Sequence, residues 1–140
     1  MASSAQNQAS DVARAYFEAQ NRHNTEWLMQ LFGSSGTFQD PTMSAPISGE
    51  KLQQAFAAGF VSFPDMTFEV LDLFDDGADR VAVQWRWRAT NTGPLGDAPP
   101  TGQAIDIAGM DLLVISEGTI QSARAYFDLA AMTNQLSGKA

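Results

Sequence analysis

Asp111 interrupts the apolar run Ala108-Gly109-Met110-Asp111-Leu112-Leu113-Val114-Ile115, and strand geometry gives it Gly109, Leu113 and Ile115 as same-face neighbours. An ionised carboxylate on an apolar face is costly, so Asp111 is expected to keep its proton and donate a hydrogen bond. The plainer alternative is an outward-facing strand residue. Tyr16 falls on the apolar stripe of a helix, where it reads as core with a hydroxyl in need of a partner. Asp40 precedes Pro41, the pattern of a turn initiator. The rest of the inventory excludes whole classes of chemistry. Without cysteine there is no thiol nucleophile, redox pair, iron–sulfur cluster or zinc–thiolate site, and the single histidine, His23, builds no histidine-based metal cluster. Asp72, Asp75, Asp76 and Asp79 lack calcium-loop spacing and fit a hairpin turn, so no metal is assigned.

The elements that must position these residues follow from hydrophobic period. Ala9, Val12, Ala13, Tyr16 and Phe17 mark a first helix; Thr25 starts a second carrying Trp27, Leu28, Leu31 and Phe32, stopped by Gly33. Thr37 to Asp40 reads as a short strand closed by Pro41. Ser48 can cap a third helix with Leu52, Ala55, Phe56, Gly59, Phe60 and Phe63 on a core-facing side, ended by Pro64. The period then changes to two. Strands are expected over 66–74, 79–92, 103–116 and 119–129, with turns at Asp75-Asp76-Gly77 and Glu117-Gly118, a Gly/Pro-rich loop over 93–102 and a closing helical turn or two over 129–136. On the second of these strands Val81, Val83, Trp85 and Trp87 face one way, while Arg86 and Arg88 face the other, outward side.

The 140 residues suit one domain over 9–137, with a flexible polar tail over 1–8 and a short tail over 138–140. Helices first and hairpin-connected strands afterwards make an α+β domain with a bent antiparallel sheet, leaving a natural small-molecule pocket between sheet and helices. Sixteen acidic against eight basic residues give a net charge of -8, which disfavours nucleic acid and anionic membrane. Charged residues make up 17% of the chain and hydrophobic ones 44%, so a cavity or a subunit interface is expected to absorb apolar surface. A cytoplasmic protein is expected, paired as a homodimer through the outer sheet face. His23 reads as a surface residue and Arg124 as structural.

Tyr16, Asp40 and Asp111 in this spacing, together with Asp40-Pro41-Thr42-Met43-Ser44-Ala45-Pro46-Ile47-Ser48-Gly49, resemble the bacterial ketosteroid isomerases of the nuclear transport factor 2-like superfamily over residues 9–129. The resemblance implies a cone-shaped curved sheet wrapped around three N-terminal helices, an α+β barrel. It implies Asp40 as general base, Tyr16 and neutral Asp111 as oxyanion donors, and no metal or organic cofactor. Phe56, Phe60, Trp85, Trp87, Phe127 and Asp128 become the substrate-binding residues. The function so implied is an isomerase-like enzyme that shifts a proton through an enolate on a hydrophobic, steroid-like ketone. Ala57 stands where family members carry a supporting tyrosine on the third helix. The long loop with Asn91-Thr92-Gly93-Pro94 and Pro99-Pro100-Thr101-Gly102 looks like the sister branch of SnoaL-like polyketide cyclases. Tyr126-Phe127-Asp128 is similar to those cyclases and to limonene epoxide hydrolases, but Ala125 stands at the hydrolase aspartate position and no Arg-x-Asp pair accompanies Arg86 or Arg88. A polyketide or ester cyclase is thus the first alternative, and a non-catalytic small-ligand-binding domain the second.

Overall fold

The computed structural model describes residues 2–139, with the side chains of residues 8–139. The expected tail over 1–8 therefore falls largely on side chains outside the described residues, as does Ala140 of the tail over 138–140. The chain runs α1 (Ala2–Asn21), α2 (Thr25–Phe32), β1 (Thr37–Gln39), β2 (Ile47–Ser48), α3 (Gly49–Ser62), β3 (Thr67–Asp75), β4 (Arg80–Thr90), β5 (Ala104–Ser116), β6 (Thr119–Phe127) and α4 (Leu129–Leu136). Helix α1 begins ahead of Ala9, because nothing in its alanine- and glutamine-rich start breaks a helix, but Ala9 opens its buried stripe. Asn24 caps α2 by accepting from the Trp27 N–H at 3.0 Å. Ser48 precedes α3 as expected, yet its side chain makes no cap bond.

The α+β reading holds, with helices packed on one face of a sheet ordered β2-β1-β6-β5-β4-β3. Two features differ from an all-antiparallel barrel. The sheet is open, with β2 and β3 as its edges, and β1 runs parallel to β6. No hairpin ties these two strands, so their direction is set by how α2 delivers the chain to the far end of the sheet. Strand β2 went unforeseen; two residues are too few to carry a period. Bulges in β3 between Val70 and Asp72, and at Val114 and Ile115 of the β5–β6 pair, interrupt the ladders and bend the strands around the helices.

The inner face carries Val81, Val83, Trp85, Ile105, Ile107, Leu113, Ile115, Ile120 and Ala123, packed on Ala13, Tyr16, Phe17, Leu28 and Phe32. The side of α3 expected in the core divides instead. Leu52 and Phe63 are buried, but Ala55, Phe56, Gly59 and Phe60 stay half-buried because an open space, not packed protein, lies against them. His23 is half-buried as well, its ring stacked on Phe60 at 4.4 Å between centroids. On the outer face Arg86 pairs with Asp106 through an Nε–Oδ1 bond of 2.7 Å, and Arg124 lies over the Tyr126 ring. The acidic cluster needs no ion. Asp75 accepts from Gly77 N–H, and Asp76 from the N–H groups of Ala78 and Arg80, closing the β3–β4 turn.

The glycine- and proline-rich loop after β4 is organised by Asn91, which is fully buried. Its amide donates to the carbonyls of Ser62 and Gly93, and its Oδ1 accepts from the Thr101 N–H at 2.7 Å. A Cβ on Gly93 would stand 1.9 Å from the Val61 carbonyl oxygen, so only glycine lets the loop lie this close to the end of α3. Two buried hydrogen bonds and one part-buried one depend on one side chain. Asn91→Ala is expected to cost about 2–4 kcal/mol, read as a lowered urea midpoint with an unchanged slope.

Candidate functional site

Strand pairing brings the two carboxyl groups to one level of the sheet. Asp111 on β5 is opposite Ala125 on β6, and Arg124 is opposite Gln39 on β1, so Asp40, the next residue of the chain, comes level with Ala125. The two aspartates therefore flank β6 from its neighbouring strands, with backbones about 10 Å apart. The alanine between them keeps the gap open. Tyr16 enters from α1 on the opposite side, and all three line a single cavity of about 440 Å³.

Asp111 is 4% exposed, and its Oδ1 accepts from the Trp85 indole Nε1–H at 2.7 Å. Burial pushes its carboxyl up to about 7; the Trp85 bond opposes that rise, and the charge of Asp40 adds to it. At neutral pH the group is thus poised between acid and carboxylate, with Trp85 fixing its orientation. Gly109 makes the pair sterically accessible. It lies directly opposite Trp85, and a Cβ there would stand 2.5 Å from the Trp85 ring and 2.6 Å from the Tyr126 carbonyl oxygen. The sequence reading treated Trp85 as apolar lining; the structure adds a polar role that no spacing announces.

Tyr16 is 1% exposed and edged by the rings of Phe17, Phe32 and Phe56. Burial, together with the carboxyls of Asp111 and Asp40, holds its hydroxyl well above the ordinary phenol range, so it remains a neutral donor. Among the described residues no protein group hydrogen-bonds that hydroxyl. Asp40 does form the expected turn, its Oδ1 accepting from the N–H and hydroxyl of Thr42. Its second carboxylate oxygen has no protein partner among the described residues, so turn and cavity roles coexist.

The apolar wall contains Phe56, Phe60, Trp85, Trp87 and Phe127, all expected from the resemblance. Asp128 is a correction. It lies outside the cavity lining, and its side chain caps α4 by accepting from the Ala131 N–H at 3.0 Å, as a helix N-terminus requires. Ala57, the position of the absent supporting tyrosine, faces outward on α3. Sequence reasoning missed Gln20, Thr42 and Met43, and the contributions of Leu95 from the loop and Met132 and Leu136 from α4. Gln20 alone left a signal, as a polar residue one turn beyond Tyr16 on the same helical stripe. No group of three or more acidic or histidine side chains suited to a metal occurs among the described residues, and no described helix is long and apolar enough to cross a membrane.

Known proteins resemble this arrangement at the level of family and fold. IdmH from Streptomyces antibioticus, a candidate polyketide cyclase, is 25% identical, with 93% of this chain and 99% of that chain covered and a TM-score of 0.78. A candidate SnoaL-like polyketide cyclase from Jannaschia sp. CCS1 shares 22% identity over 95% of this chain and 94% of that one, at a TM-score of 0.83. AclR from Streptomyces galilaeus, a candidate hydroxylase, shares the fold at 18% identity, 95% and 83% coverage, and a TM-score of 0.81. No functionally curated protein matches the sequence. The family model for SnoaL-like polyketide cyclases matches residues 10–136, nearly the whole chain, and the protein belongs to that family.

Proposed function

We propose that the protein catalyses ring closure of a hydrophobic, carbonyl-bearing polyketide-type molecule through an enolate, without a metal or organic cofactor. The observation that carries this reading is the convergence of Tyr16, Asp40 and Asp111 on one apolar cavity, with Asp111 buried and pinned by Trp85. The free oxygen of Asp40 takes the proton from the carbon beside a substrate carbonyl. As the carbonyl oxygen gains charge, the Tyr16 hydroxyl and the protonated Asp111 donate to it. The enolate carbon then attacks a second carbonyl carbon of the same molecule; a carbon–carbon bond forms, and the Asp40 proton passes to the new alkoxide. Reactant and product are isomers, so no oxidant or reductant enters.

A second reading uses the same machinery. If the proton returns two carbons along instead, a double bond moves into conjugation, the isomerase outcome implied by the resemblance. Membership of the cyclase family and the loop contributing Leu95 and Gly96 to the cavity favour ring closure. The outer sheet face, where Phe74, Met110, Leu112 and Tyr126 are exposed, supports a homodimer formed by two copies of that face.

Asp40→Asn is expected to lower α-proton exchange on a panel of cyclic enones and polyketide esters by about 10²–10⁴-fold while retaining affinity for a phenolic enolate mimic. Equal exchange rates in mutant and parent would remove Asp40 as the base. Activity should fall as pH rises through about 7, where Asp111 loses its proton. Because its folded pKa is raised above the unfolded value of about 3.9, Asp111 should also make stability decline from about pH 4 to about pH 7 and then level off. Asp111→Asn keeps a neutral donor and the acceptor for Trp85, so it should flatten both dependences; urea midpoints and rates at pH 5, 7 and 9 check this. Sedimentation at micromolar concentration should give a dimer, and Leu112→Glu a monomer.

A further inference from the structure

Seven of the eleven glycines sit at positive φ, and at three more, Gly36, Gly93 and Gly109, a Cβ would run into neighbouring atoms at 1.9 to 2.5 Å. Gly59 has neither reason. It lies inside α3 without a positive φ, and a Cβ built on it would meet no atom within 4 Å. Glycine is the least favourable residue after proline in a helix interior, so neither backbone conformation nor packing accounts for its place here. What its missing side chain leaves is open space.

That space belongs to the cavity. Residues three and four positions apart share a helical face, and the four so placed around Gly59, namely Ala55, Phe56, Ser62 and Phe63, all line the cavity, as Gly59 itself does. Ala57 and Val61, two positions away on either side, are exposed and do not. A side chain at position 59 would therefore point inward. Along α3, Phe56 meets the Tyr16 ring edge-on at 6.5 Å, whereas Phe60 stacks on His23, seven residues past Tyr16, at 4.4 Å. Gly59 thus lies beyond the oxyanion donors, about 4.5 Å along the helix axis from Phe56 toward the His23 end. Its carbonyl accepts from the Phe63 N–H at 2.9 Å, and its own N–H is engaged within the helix, so the bare backbone offers no free polar group. Such a surface suits an apolar ring.

We propose that Gly59 is a specificity-determining residue: its bare backbone forms a notch in the α3 wall that takes the outer ring of a flat, fused-ring substrate whose carbonyl-bearing end sits at Tyr16 and Asp111. A Cβ at this position would occupy the space of that ring. The notch selects wide molecules, because a single ring held at Tyr16 stops short of it. This inference rests on the cavity being the substrate site, but not on Asp40 acting as base.

The test is Gly59→Ala in the full chain, read by stability and by binding together. Alanine is the better helix former, so the melting temperature should rise by about 2–5 °C. Phenol and 2-hydroxyanthracene present the same hydroxyl to Tyr16 and Asp111 but differ in width, and quenching of tryptophan emission follows both, since Trp85 and Trp87 line the cavity. The variant should bind 2-hydroxyanthracene about tenfold more weakly, the effect of one methyl group forced into filled space, and phenol as tightly as the parent does. A more stable protein with a narrower range of ligands is the signature of the notch. Unchanged affinity for 2-hydroxyanthracene, an equal loss for both compounds, or a lowered melting temperature would overturn the role of Gly59 while leaving the cavity standing. Binding of neither compound to the parent would remove the cavity reading and the notch with it.

Discussion

A carboxyl group held in an apolar hollow by one indole N–H is the interaction on which the rest of the site depends. Asp111 is poor company for the leucines and isoleucines of β5, and burial alone would leave it free to turn. The Trp85 bond gives it one orientation and satisfies one oxygen, leaving the other without a protein partner among the described residues. That bond in turn requires a bare backbone at Gly109, over which the indole passes. Acid–base poise, orientation and steric clearance are thus distributed over three residues on two strands.

Asp40 depends on a different constraint. It reaches the level of Asp111 because β1 runs parallel to β6, and it keeps one oxygen free because Thr42 occupies the other. The edge of the sheet, short and capped by the two residues of β2, therefore contributes as much to the site as its centre. Tyr16 approaches from α1, its ring held edge-on by three other aromatic rings at the cavity wall. Each donor arrives on a separate rigid element, the condition under which preorganised dipoles stabilise developing charge.

Between these polar groups the walls are aromatic, with Trp87 stacked on Phe68 and met edge-on by Phe63. The loop pinned by Asn91 closes over part of α3 and brings Leu95 into the lining. Apolar surface in this small, acidic chain is spent on lining a hollow as well as on filling a core, which accounts for a side of α3 that is greasy yet only half-buried. The SnoaL-like family to which the chain belongs shares this frame, and a shared frame does not by itself fix a substrate.

Much of this was legible in the residues themselves. Period-two and period-3.6 patterns located the three leading helices, four long strands and the closing helix, and the same-face neighbours of Asp111 placed it inward, because local spacing fixes which way a side chain points. Local spacing says nothing about what a side chain meets. The Trp85–Asp111 bond, the parallel β1–β6 pair and the clamp of Asn91 on Ser62 join residues distant along the chain; the Asp128 cap differs, because its bond to Ala131 is local and an aspartate just ahead of a helix is a sequence-level cap signal. Chain direction and partner identity across a sheet are decided only when the strands assemble, since hydrogen-bond pairing and burial are properties of the packed whole.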